Sequence, residues 1–136
     1  MMQKGNSITE NKSSIFFLGK AKVNIIFHIT KQENWDKAKL EAVYSGDTLD
    51  SQGFIHCSTF HQIVKVANTL YPAQKELVLF CIDTKRVHSE IKYESNGSEE
   101  FFPHIYGPLN IDAIVKVVDF EPTNNGKFIM PKEMSK

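Results

Sequence analysis

Leu77-Val78-Leu79-Phe80-Cys81-Ile82 is a continuous apolar run of strand length, closed by Asp83. A strand with one wet face alternates apolar and polar residues; an unbroken run reads as a central strand covered on both faces. That reading requires layers of other elements around it. Upstream, Val23-Asn24-Ile25-Ile26-Phe27-His28-Ile29 is rich in β-branched and aromatic residues and reads as a second strand. Thr30 follows as a natural N-cap with Glu33 as its capping-box partner, so a helix is expected next. Trp35, Ala38 and Ala42 fall on one face of that helix, and Leu40 falls off it.

Ser45-Gly46-Asp47 and Asp50-Ser51-Gln52-Gly53 read as turns, with Gly53-Phe54-Ile55-His56-Cys57-Ser58 a short strand after them. Ser58 or Thr59 can cap a helix through Gln62, Val66, Ala67 and Leu70, and Pro72 ends it. Beyond Asp83 the chain is polar to Val87, as in a loop or short helical turn. Ile91-Lys92-Tyr93-Glu94 then alternates like an exposed strand, and 95–100 is an acidic loop. Phe101 to Leu109 follows, then a single turn at Ile111–Ile114 and a last strand at Val115–Phe120. The organisation expected is a flexible tail over residues 1–22, one α+β domain over 23–121 and a second tail over 122–136.

The chain has 136 residues, enough to bury one core without disulfides or a structural metal. Lys plus Arg and Asp plus Glu are 16 each, so no global field draws it to nucleic acid or an anionic membrane. Cys57 and Cys81 sit in apolar runs and read as reduced, buried cysteines. The apolar run Ile15–Leu18 is too short for a membrane span or a secretory signal, so a cytoplasmic protein is expected.

Phosphate loops of the G-x-x-x-x-G-K and G-x-G-x-x-G kinds are absent, as are Cys-x-x-Cys and His-Glu-x-x-His metal patterns. No metal is expected. What remains is three histidines, His28, His56 and His104, each inside an otherwise apolar strand-like segment. A single one is best read as a core residue hydrogen-bonded to backbone. Three such residues point to one shared pocket, because each buried imidazole needs a partner and leucine would fill the same space at less cost. Gly53 and Gly107 flank two of these histidines and either form simple turns or let a ligand approach the backbone. Ser58 is better explained by helix capping than as a nucleophile, and an apolar setting argues against Cys57 as one. Glu94 is the carboxylate candidate near the third segment.

Ile26-Phe27-His28-Ile29-Thr30, Gly53-Phe54-Ile55-His56-Cys57-Ser58, the Gln62–Asn68 helix, Leu77–Asp83 and Phe102-Pro103-His104-Ile105-Tyr106-Gly107-Pro108-Leu109 together resemble the domain-of-unknown-function 952 family, over about Ile25 to Phe120. That family is similar in fold to the ADP-ribosyltransferase superfamily, which implies two small, mainly antiparallel sheets forming a cleft, with two or three helices. It also implies an NAD- or nucleotide-handling transferase, NAD being a substrate, or else a non-catalytic module for a small molecule or nucleotide. By that resemblance His28 would hold the nicotinamide ribose and His56 would line the nicotinamide side, as in the RNA 2'-phosphotransferase branch. Glu94, His104 and Tyr106 contend for the third position. Thr30, Gly53, Phe54, Ser58, His104, Tyr106 and Gly107 are the expected ligand contacts. The single arginine, Arg86, is fewer than phosphotransfer chemistry needs.

Overall fold

The computed structural model describes residues 8–11, 13–18, 21–46, 48–95 and 97–134. In chain order these form β1 (Ile8–Asn11), β2 (Ser13–Leu18), β3 (Ala21–Lys31), α1 (Gln32–Glu41), β4 (Val43–Tyr44), α2 (Leu49–Gln52) and β5 (Ile55–His56). There follow α3 (Phe60–Leu70), β6 (Leu77–Asp83), β7 (Glu90–Ser95), β8 (Phe101–Tyr106), β9 (Leu109–Asn110) and β10 (Ile114–Asp119). Short 3-10 turns lie at Thr84–Arg86, Ile111–Ala113 and Lys132–Met134.

The apolar run is β6, and all seven of its residues are buried. It lies between β3 and β10 in a five-stranded sheet of order β1-β2-β3-β6-β10, with every pairing antiparallel. Because side chains alternate across a strand, β3 and β6 feed two cores. Phe27, Ile29, Leu77, Leu79 and Cys81 pack on one face with Ile63 and Ala67 of α3. Ile26, Val78, Phe80 and Ile82 pack on the other with Ala38, Tyr44, Ile55, Ile105 and Leu109. A fully buried side chain of this kind contributes about 1.5–3 kcal/mol, so the doubly covered β6 anchors both layers. The second layer holds a two-stranded sheet, β4-β9, and a three-stranded sheet, β5-β8-β7. The class is thus α+β, with three sheets among the described residues where two were expected.

Several local expectations change. Thr30 is not a cap: β3 runs on to Lys31, pairing Thr30 with Val78 and Lys31 with Leu77. Its hydroxyl is held by Asn34 and Tyr44 instead, and the N-cap of α1 is Lys31. Ala42 leaves the helical stripe to end α1 in the left-handed conformation (φ 63°). Asp50-Ser51-Gln52 belongs to the one-turn α2, which Gly53 terminates at φ 86°. Thr59 does cap α3, in a capping box with Gln62.

The expected N-terminal tail carries β1 and β2, and its boundary at residue 22 falls inside β3. The reason is Phe16, wholly buried with its ring 5.8 Å from Phe27 and 5.6 Å from Phe60. Residues 1–7, 12 and 19–20 of that tail lie outside the described residues. The expected C-terminal tail is also tied down, since Phe128 and Met134 are buried in the α3-side core. Asn68 fixes Phe128 by bonds to both its N–H and its carbonyl, at 2.7 and 3.1 Å.

Candidate functional site

The site begins where β3 loses a neighbour. β2 pairs with β3 only as far as Asn24, while β6 continues beside it to Lys31. One further rung closes the outer edge: Phe27 and Ser58 exchange N–H to O bonds, each 2.8 Å. In an antiparallel pair such exchange recurs at alternate residues, so the N–H and C=O of Ile29 point to the same outer side, past the last rung. That edge opens on a cavity of about 970 Å³, which Phe27 to Lys31 line along with Tyr44, Phe54, His56 and Ser58. The cavity touches both faces of β3, since His28 and Thr30 project to one side and Phe27 and Ile29 to the other.

On the first side, β5 sets His56 opposite His104 of β8, and β7 sets Glu94 opposite Phe102. Phe54 stacks on His104, with centroids 4.1 Å apart and planes 19° apart, and meets His56 edge-on at 4.7 Å. His104 Nδ1 lies 2.8 Å from Glu94 Oε1, and the Tyr106 hydroxyl donates to the same oxygen at 2.5 Å. An imidazole N–H aimed at a carboxylate fixes the ring's orientation and leaves Nε2 with the lone pair in the neutral form. Both bonds fall on Oε1, so neither occupies Oε2. Lys92 Nζ sits 4.7 Å from the Tyr106 ring centre.

His28 belongs to a second network. Its Nδ1 lies 2.5 Å from the His56 carbonyl oxygen and its Nε2 2.6 Å from the Tyr44 hydroxyl. A carbonyl only accepts, so Nδ1 carries a proton. Tyr44 Oη is in turn 2.9 Å from Thr30 Oγ1, which accepts from Asn34 Nδ2 at 3.0 Å. A relay of this kind runs in either direction. Neutral His28 accepts at Nε2 from Tyr44, whereas protonated His28 donates there and Tyr44 donates on to Thr30.

The electrostatics separate the groups by role. The Tyr106 hydroxyl first, and then His104, hold Glu94 below the usual carboxylate range, so it is ionised at neutral pH. The same bond raises Tyr106. Partial burial, and then the neighbouring His104, lower His56 from its ordinary 6.5, so its neutral form prevails at pH 7. With Gln52 Oε1 accepting from Nε2 at 2.6 Å, its lone pair is on Nδ1. Burial drives the Cys57 thiol far up and Cys81 to about 12, which leaves neither available as a nucleophile.

Of the residues singled out in the sequence, His28, Thr30, Phe54, His56, Ser58, Glu94, His104 and Tyr106 line this one cavity. Gly53 and Gly107 do not, and each has a backbone reason of its own. Gly53 takes the left-handed turn after α2. A Cβ on Gly107 would lie 2.5 Å from Ser89 Oγ, so glycine there lets Ser89 reach the Pro108 carbonyl, at 2.7 Å. Tyr44 and Gln62 also line the cavity, and the sequence did not single them out for the site. Tyr44 sits in a strand of two residues, too short for any periodicity to flag. Among the described residues no three His, Cys, Asp or Glu side chains are grouped so as to hold a metal ion, and no helix is long and apolar enough to cross a membrane.

An antiparallel α+β layer pair with a histidine-lined cleft at an open strand edge defines the class. The chain belongs to the family described as "Protein of unknown function (DUF952)", whose model matches residues 29–117. The crystal structure of protein CC0527 from Caulobacter crescentus is similar at 27% identity and TM-score 0.71, covering 77% of this chain and 93% of that one. The solution structure of the same protein gives 28% identity and TM-score 0.67, with 76% and 90% covered. No curated protein matches the chain.

Proposed function

We propose that the cleft takes NAD or a related nicotinamide nucleotide as substrate and transfers its ADP-ribosyl group, in the manner of the ADP-ribosyltransferase-like fold. The observation that carries the reading is that His28, His56 and the Glu94–His104–Tyr106 cluster all line one cavity, beside the outward N–H and C=O of Ile29. An amide-bearing ring matches that donor and acceptor pair, and Phe54 and the imidazoles supply faces for stacking. Loss of nicotinamide leaves positive charge on the ribose. Glu94, held ionised, would stabilise that charge, and neutral His56 would take the proton of an attacking hydroxyl.

The test is incubation of the protein with NAD while free nicotinamide is measured, alongside NMR of the histidine ring protons. Nicotinamide release, and its fall by about a hundredfold or more in Glu94→Gln, is the expected result. Histidine resonances that stay still at millimolar NAD would sink the reading.

A second reading, a binding module without catalysis, draws support from the cations. Arg86 lies outside the cleft lining and pairs with Asp83 at 3.4 Å, and of the two lysines in the lining Lys65 pairs with Glu100, leaving Lys31 to meet a diphosphate. Under that reading the same histidine signals shift while NAD stays intact.

A further inference from the structure

We infer that the cavity contains a second subsite, walled by α3, that takes an uncharged, largely apolar group bearing one hydrogen-bonding function: the group of an acceptor molecule rather than of the nucleotide. The inference rests on the cleft being a ligand site, and not on the ligand there being NAD.

Three observations converge on it. The cavity wraps the open edge of β3, and its two sides differ in chemistry. On the side of His28 and Thr30 lie the histidines, Glu94 and the tyrosines 44 and 106. On the side of Ile29 lie Ile63, Val66 and Leu70 of α3, then Tyr71 and Leu77. Ile63, Val66 and Leu70 recur at spacings of three and four, which sets them on one stripe of the helix. The stripe does not end in the core: Ile63 is buried, Val66 is half-buried, and Leu70 is 66% exposed. The only ionisable α3 residue lining that wall, Lys65, pairs with Glu100 of the β7–β8 loop at 3.7 Å.

The second observation is Ser58. Phe54, His56 and Ser58 alternate along one strand segment and all line the cavity. Ser58 stands at its end, immediately before α3, where the histidine side gives way to the aliphatic one. It is 4% exposed, both its backbone groups are spent on Phe27, and its hydroxyl has no hydrogen-bond partner among the described residues. A buried hydroxyl left unpaired is costly, and a ligand group with a donor or acceptor at that point relieves the cost.

The third is capacity. At about 970 Å³ the cavity stands near the top of the roughly 300–1,000 Å³ range of small-molecule sites, so a ring beside the histidines leaves room for a second group. The aliphatic wall, whose one cation, Lys65, is already paired with Glu100, favours a neutral apolar group over an anionic one.

The experiment is a titration of the whole protein, methyl-labelled at Ile, Leu and Val, with benzyl alcohol, with toluene and, as a polar comparison, with glycerol. Benzyl alcohol should give saturable shifts at Ile63, Val66, Leu70 and Leu77, and glycerol none. Leu70→Glu, at an exposed position that leaves the fold intact, should abolish saturation for both aromatic probes. Ser58→Ala should weaken benzyl alcohol about two- to tenfold and leave toluene unchanged. Shifts equally large at the exposed Leu40 and Ile129 methyls, or binding indifferent to Leu70→Glu, would overturn the subsite. Should Ser58→Ala fail to fold, the map of shifts and Leu70→Glu still decide. Failure of the NAD reading registers separately, in histidine resonances and nicotinamide release that these probes do not touch.

Discussion

The strands β6 and β7 are of similar length and lie in different sheets, and they solve opposite problems. Every residue of β6 is buried, between two apolar cores and two antiparallel neighbours. No residue of β7 is fully buried; it forms the edge of its sheet, and its Glu94 is spent on a histidine and a tyrosine. The first strand is held by transfer of apolar surface out of water. The second is held by ladder bonds and a few polar contacts, each of small net worth. That asymmetry leaves the β5-β8-β7 sheet able to present ionisable groups to a cleft, while the five-stranded sheet keeps the edge of β3 rigid beneath them.

Breaking the strong side should cost most. Phe80 is wholly buried on β6 and its ring meets Trp35, Tyr44 and His28 at 5.3, 5.0 and 5.9 Å. Phe80→Ala should lower stability by about 3–5 kcal/mol in urea unfolding, and should also disturb the His28 ring resonances. A loss under 1 kcal/mol would mean that the two layers are not coupled through this ring.

Tyr44→Phe tests the junction between the regions. It keeps the ring but removes the hydroxyl that meets His28 and Thr30, and should cost about 1–3 kcal/mol with the fold retained. Thr59→Ala removes the capping box of α3 and should cost about 1 kcal/mol, with hydrogen exchange quickened first at the start of that helix. Exchange quickened instead throughout β6 would show that α3 does not fray separately from the core.

The smallest effect is one of pH. The folded protein holds His56 below the ordinary 6.5 at which the unfolded chain titrates. As pH falls through 6.5 the unfolded chain therefore binds the proton first, and stability declines until the folded-state imidazole titrates as well. Glu94, whose folded value is depressed, adds a loss only at lower pH, below the ordinary carboxylate value of 4.5. His56→Gln should flatten the decline just below pH 6.5 and leave the more acidic one. An unchanged profile between pH 6.5 and 5 would remove His56 from the account.

Much of this was legible in the sequence, and the reasons lie in particular residues. Leu77–Ile82 could be read as a doubly covered strand because nothing polar interrupts it. Ser58 and Thr59 could both be read as caps of α3, and the structure chooses Thr59 through its capping box with Gln62, three residues on. The N-terminal segment was misread because its composition is polar overall and its decisive residue, Phe16, acquires meaning only against Phe27 and Phe60. Thr30 looked like a cap for the same reason in reverse. Its local pattern fits a helix start, and pairing with Val78 overrides it.

The sequence by itself determined that Leu77–Ile82 is apolar on both faces, that α3 starts after Ser58 or Thr59 and ends before Pro72, and that three histidines stand in otherwise apolar segments, of which the structure buries only His104. Those are properties of neighbours along the chain, set by periodicity and capping. Only the tertiary structure decided that the pairing of β2 with β3 reaches no further than Asn24 of β3 and leaves its edge open, that Tyr44 rather than a carboxylate meets His28, and that Glu94 is the residue bound to His104 and Tyr106. Those pairings join residues up to tens of positions apart, and the register between strands, which no single segment encodes, brings them within hydrogen-bond reach.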